Sequence, residues 1–194
     1  MDVVRRLVAA SFEVIRETGA LEPGVAEIVR RAGLSNQAFY RHFPSKDALL
    51  LAVLEEGFAV LERYLAHRMD GAPTPEARIR AWIGGVLEQA LHSGAASATR
   101  PFAASRSRLA ELFPEAVAAS EGALRASLRD AIADAVEAGS LPGADPERDA
   151  EAIHTLVMGW LERRLGHGTP ASRADAEHIT GFALAALRRA PGGR

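Results

Sequence analysis

The chain has 194 residues, 48% of them hydrophobic and 25% charged, a balance that suits one or two soluble globular domains and excludes a disordered polymer. It contains no cysteine, so disulfide frameworks, zinc fingers, iron–sulfur centres and thiol nucleophiles are all excluded. The net charge of −2 rules out a uniformly basic nucleic-acid coat and leaves only local patches, and no apolar run is long enough to span a bilayer. The N-terminus has no apolar core of a secretory signal, so a cytoplasmic address with no membrane partner is expected.

Apolar residues recur at the 3.6-residue period from end to end, and alternating β-branched stretches are nearly missing, which predicts an all-α chain. The first helix runs from about Asp2 to Thr18, with Val4, Leu7, Val8, Phe12 and Ile15 on one face and Gly19 at its C-cap. Pro23-Gly24 opens a short helix through Ala32, closed by Gly33. Ser35 caps a second short helix that stops before Pro44. Ser45 then caps a long helix, with Asp47 in its first turn, that ends before Gly71-Ala72-Pro73. Further on, Pro75 to His92 is predicted helical and Ser93 to Thr99 a loose Ser/Gly/Ala stretch. Pro101 is expected to open a short helix to Leu112, and Pro114 another that ends near Gly139. Asp145-Pro146-Glu147 starts a helix to about Leu165. The last runs from Ser172 or Arg173 to Arg189, and Pro191-Gly192-Gly193 should fray.

Gly24 to Leu49 is the informative stretch. Two helices of about eight residues joined by Gly33-Leu34-Ser35 have the dimensions of a helix-turn-helix. Ile28, Ala32, Leu34, Phe39 and Phe43 are predicted to form its core. If Phe39 and Phe43 turn inward, the second helix presents Asn36, Gln37, Tyr40 and Arg41 on its other face, types that reach base edges or phosphates. Ser35 and Asn36 lie at a helix N-terminus, where free N–H groups suit a phosphate. From Arg30 to Lys46 the chain carries Arg30, Arg31, Arg41 and Lys46 with no acidic residue, a patch that would hold DNA by counterion release. Spacing alone equally fits two short helices packed in a helical domain, with their charges merely solvated.

The run Ile28-Val29-Arg30-Arg31-Ala32-Gly33-Leu34-Ser35, followed by Phe39-Tyr40-Arg41-His42-Phe43-Pro44-Ser45-Lys46-Asp47-Ala48-Leu49, resembles the DNA-binding signature of TetR-family transcriptional regulators. Ala9-Ala10 and Arg16-Glu17-Thr18-Gly19 in the preceding helix are similar too. Weaker likeness continues through Phe113-Pro114-Glu115, Gly139-Ser140-Leu141, Asp145-Pro146-Glu147 and Gly159-Trp160. The resemblance implies a homodimeric, repressor-like regulator with a three-helix helix-turn-helix DNA-binding domain at residues 1–47. A larger helical bundle at 48–190 would bind ligand and dimerise, and 191–194 would be a frayed tail. It further implies a DNA-binding surface of Ser35, Asn36, Gln37, Tyr40 and Arg41, with Tyr40, His42 and Lys46 holding phosphates. His42 alternatively only caps its helix. There are departures. Gly24 stands where members usually have threonine, Val29 replaces a customary alanine, and Gln37-Ala38 replaces smaller, hydroxylated residues. The chain starts almost at its first helix, so little basic arm is expected.

Two apolar stripes are candidates for a dimer interface with two-fold symmetry: Ile153, Val157, Trp160 and Leu161, then Ile179, Phe182, Ala183 and Ala186. The alternative is that both stripes serve only the subunit core. Trp82, Phe102 and Phe113 are candidate liners of an effector pocket, and His92, Arg100 and Arg106 candidate readers of a polar or anionic ligand. No catalytic residue, metal site or cofactor is expected. Glu151-Ala152-Ile153-His154 matches half of a helical di-iron motif, no second copy exists, and His154 is expected in a core or interface. Phosphate loops and nucleophile elbows are missing. The expected function is therefore a regulator whose palindromic DNA operator is released by a small-molecule effector. The alternative is a helical ligand carrier or protein-interaction adaptor without DNA binding.

Overall fold

The computed structural model describes residues 2–166 and 170–188 and contains ten α-helices and no strand among them. In chain order these are α1 (Val3–Thr18), α2 (Val25–Ala32), α3 (Asn36–His42), α4 (Lys46–Asp70), α5 (Pro75–Leu91), α6 (Ser93–Ala104), α7 (Arg106–Leu112), α8 (Pro114–Glu137), α9 (Pro146–Gly166) and α10 (Arg173–Leu187). The expected tail at 191–194 and the last helix's expected end at Arg189 lie outside the described residues.

The apolar side chains divide into clusters that follow the helices. Leu7, Ile15, Ile28, Phe39, Phe43, Leu49 and Val53 bury one another under α1–α3 and the start of α4. A larger core in the C-terminal half holds Leu65, Met69, Trp82, Leu128, Val157, Trp160 and Leu187. Between the two, Leu21, Leu50, Leu54, Leu109 and Val117 join the α1–α2 loop to α7 and α8. α4 therefore contributes to all three. Its 25 residues make a rod of about 37 Å that starts beneath the small N-terminal unit and ends inside the large bundle.

Polar links and one glycine fix α4 against α5. Arg68 stacks over Tyr64 and pairs with Glu88, which also accepts a hydrogen bond from the Tyr64 hydroxyl at 2.7 Å. A Cβ on Gly85 would come within 2.6 Å of Leu65 Cδ2, so this crossing is as close as it is because position 85 has no side chain.

Residues 93–99 are not the loose stretch expected from composition but the first half of α6. Small side chains erase the apolar period there. Ala96 is buried, and a Cβ on Gly166 of α9 would lie 3.9 Å from Ala104 Cα. Pro101 does not open a helix either. It sits buried inside α6, and the helix breaks at Ser105 (φ −113°, ψ 14°) before α7 begins at Arg106.

Candidate nucleic-acid interface

The turn between α2 and α3 rests on Gly33, whose φ of 63° lies in the left-handed region open mainly to glycine. Its amide and that of Leu34 return to the carbonyls of Arg30 and Val29, closing α2. From α1, the Arg6 guanidinium donates to the Ala32 and Gly33 carbonyls and ties the turn to the first helix. Ser35 then caps α3 by accepting from the Ala38 amide at 3.1 Å. Ser45 does the same for α4 through Ala48. At the start of α2, Gly24 supplies no side-chain cap, as its replacement of threonine implies.

Phe39 is fully buried and Phe43 nearly so, with ring centroids 6.0 Å apart. That orientation turns the rest of α3 outward. Ser35, Asn36, Gln37, Tyr40, Arg41, His42 and Lys46 are all exposed. Tyr40, 58% exposed, rests its ring edge-on against Phe39 at 5.0 Å, which stiffens it while its hydroxyl faces solvent. One helix thus carries amides, a phenol and a guanidinium on a single open face.

The expected +4 patch is smaller than the sequence suggested. Arg30 pairs with Glu27. Arg31 reaches Glu17 at 2.7 Å, Glu13 at 3.4 Å and Glu27 at 3.6 Å. Hydrogen bonding to Arg31 holds the Glu17 carboxyl below its usual range, and Arg30 does the same to Glu27, so both remain anionic. The cations left facing outward beside α3 are Arg41 and Lys46. The Glu27–Arg30 spacing was visible locally, whereas Glu13 and Glu17 meet Arg31 only once α1 folds against α2.

The six candidate effector residues are spread over the fold, and of them Phe102 and Phe113 pack against a common cluster, that of Leu21 and Leu109. Trp82 is fully buried in the C-terminal core, with its indole N–H donating to Ser127 Oγ at 3.0 Å. Phe102 lies 5.8 Å from Phe12 of α1, and Phe113 packs with the Leu21–Leu109 cluster. His92 and Arg100 are on the surface, while Arg106 pairs with Glu121 and Glu162 at 2.8 Å. A hollow of about 250 Å³ between α4 and α8, lined by Glu55, Phe58, Glu62 and Leu124 among others, is open to solvent. Of the candidate dimer residues, Ile153, Val157, Trp160, Leu161 and Ala183 belong to the subunit's own core, with Ile179 half-buried. Phe182 and Ala186 point outward. His154 is buried, as expected, and no group of acidic or histidine side chains fit to hold a metal exists among the described residues.

A compact three-helix unit with an outward polar helix, carried on a long helix from a separate bundle, defines a helix-turn-helix regulator. Residues 7–53 match the model described as bacterial regulatory proteins, tetR family, and residues 80–189 match that of the AefR-like transcriptional repressor C-terminal domain. The chain belongs to the TetR family of transcriptional regulators. The family is one of regulators and not of enzymes. The HTH-type transcriptional regulator BetI of Escherichia coli is 32% identical over 94 residues, which are 47% of this chain and 48% of that protein. The chain thus spans about half the length of the curated relatives it matches. A TetR transcription regulator from Haloarcula marismortui superposes with a TM-score of 0.75 at 21% identity, covering 96% of each chain. The Bacillus subtilis regulator FadR, solved with stearoyl-CoA, gives 0.67 at 16% identity, covering 94% of this chain and 96% of its own. No helix among the described residues is long and apolar enough to cross a membrane.

Proposed function

We propose that this regulator is a homodimeric repressor that sets α3 of each subunit into successive major-groove faces of a palindromic operator. A small molecule bound in the C-terminal half releases it. Residues 1–47 would form the reading head, residues 48–190 the effector and dimer unit, and the protein would work in the cytoplasm. The observation that carries this reading is α3 itself: Phe39 and Phe43 are buried while Asn36, Gln37, Tyr40 and Arg41 are exposed together. Asn and Gln amides suit adenine, arginine suits guanine, and Tyr40, His42 and Lys46 suit phosphates.

Release follows from the position of α4. A rod of about 37 Å that tilts by about 5° moves its far end by about 3 Å, and docking into grooves about 34–36 Å apart tolerates little change. The head has a second tether that the same motion would disturb. Phe102 of α6 lies against Phe12, and Arg108 of α7 pairs with Glu22 beside the α1–α2 loop. The FadR–stearoyl-CoA structure supports a ligand within this fold.

For the dimer, support comes from Phe182, 62% exposed on α10 and flanked by exposed Gly181, Ala185 and Ala186. A large aromatic ring surrounded by small side chains suits close helix packing against a second copy. A gel-shift titration with the DNA upstream of its own gene tests the whole reading. Retarded complexes that weaken steeply with salt and vanish in Tyr40→Ala or Arg41→Ala are expected. Salt-insensitive binding that ignores sequence would instead favour an adaptor or ligand carrier.

A further inference from the structure

Among the described residues, the only buried side-chain nitrogen or oxygen without a hydrogen-bond partner is Nε2 of His154. The residue is 5% exposed and lies on α9, with its ring centroid 6.3 Å from that of Trp82 on α5. Its neighbour is fully served: Trp82 donates to Ser127, and Ser127 in turn donates to the Leu124 carbonyl at 2.8 Å. An orphaned polar atom in a packed core is costly, and native structures keep one where something else completes it.

We infer that His154 Nε2 is the polar anchor of the effector site, and that the effector is an uncharged, flat apolar molecule bearing a hydroxyl group. This rests on the reading above that the C-terminal half takes a small molecule. The hydroxyl follows from the anchor. Burial pushes the imidazole's proton affinity below its usual value, so the ring is neutral, and a hydroxyl both donates and accepts and thus fits either tautomer. The absence of charge follows from the surroundings. Glu121, Arg125, Glu151 and Arg106 act on the ring, and Arg106 also holds Glu162, so three carboxylates stand against two guanidinium groups. A carboxylate ligand would meet net negative charge. The flat body follows from the indole beside the anchor.

Access runs through the α8–α9 seam. Ion pairs, and not only apolar packing, close this seam: Arg106 from α7 spans Glu121 on α8 and Glu162 on α9, and Arg125 reaches Glu151 at 2.7 Å. The Arg125–Glu151 pair is exposed on both sides (36% and 58%) and holds little, so the seam can part there for a ligand while the Leu128–Val157 core stays packed.

The test is titration of the full-length protein at pH 7.5 with 4-ethylphenol, ethylbenzene and 4-ethylbenzoate, read by the fluorescence of its two tryptophans, Trp82 and Trp160. 4-Ethylphenol is expected to bind about fivefold to tenfold more tightly than ethylbenzene, the span of one buried hydrogen bond, with 4-ethylbenzoate weakest. His154→Leu should bind both neutral probes alike. It should also melt no lower than the parent, because it removes an unsatisfied group at similar volume. Equal affinities in the parent, a phenol preference that survives His154→Leu, a tighter benzoate complex, no binding of any probe, or a large loss of melting temperature in His154→Leu would overturn the assignment. A gel shift on the 4-ethylphenol complex is read separately. Anchored phenol with unchanged DNA binding contradicts the release reading and leaves the anchor standing.

Discussion

Salt dependence distinguishes the cations that face DNA from those that only look as though they do. Of the four between Arg30 and Lys46, Arg30 and Arg31 are held by Glu27, Glu17 and Glu13, leaving Arg41 and Lys46 to each subunit. In the proposed dimer that is four unpaired cations set against DNA, and at about 0.9 released counterions each the slope of log affinity against log salt is about −3.6. Raising salt from about 50 to about 200 mM should then weaken binding about 150-fold, where eight free cations would give about 2 × 10⁴-fold. Lys46→Ala removes two contacts per dimer and should flatten the slope to about −1.8, while Arg31→Ala should leave it near the parent value. The assay is fluorescence anisotropy of a labelled promoter duplex at several salt concentrations, with circular dichroism to verify that each variant is folded. If Arg31→Ala flattens the slope as much as Lys46→Ala does, the ion pairs do not hold in solution and the charge reasoning fails.

Gly33→Ala forces a left-handed residue to carry a Cβ that would sit 3.2 Å from Arg6 Nη2, so a loss of about 1–2 kcal/mol is expected in urea melts. Unchanged stability would mean that the turn is not built as described. Phe182→Arg should leave the subunit folded, because the ring is exposed, yet convert dimer to monomer in sedimentation velocity; a variant that remains dimeric sends the interface elsewhere. Burial lowers the pKa of His154 from its ordinary 6.5, so the unfolded chain binds more protons than the native one just below that pH. Stability should therefore fall as pH drops from about 7 towards 5, and His154→Leu should lose that part of the decline in paired thermal melts. Parallel pH profiles for the two proteins would contradict the buried, neutral ring.

Much of the head was legible because its signals are local. Ser35 and Ser45 cap the helices they precede, Gly33 takes the positive φ that ends α2, and Phe39 with Phe43 at i and i+4 settles which face of α3 is inward. What escaped depends on contacts distant in sequence. Arg31 looked free until α1 brought Glu13 and Glu17 beside it. The first half of α6 looked like a loop because Ser, Gly and Ala carry no apolar period. The stripe Ile153–Val157–Leu161 marked a buried face correctly, but no sequence pattern tells a face buried within one subunit from one buried between two. The orphaned Nε2 of His154 is likewise a property of packing that no local sequence pattern reports.

The most direct measurement is backbone amide hydrogen exchange of the full-length protein with and without the promoter duplex. Slower exchange centred on residues 35–46, with the amides of α5 and α8 unaffected, is the expected result. Protection confined to the C-terminal bundle, with α3 exchanging as freely as before, would contradict DNA reading by this helix.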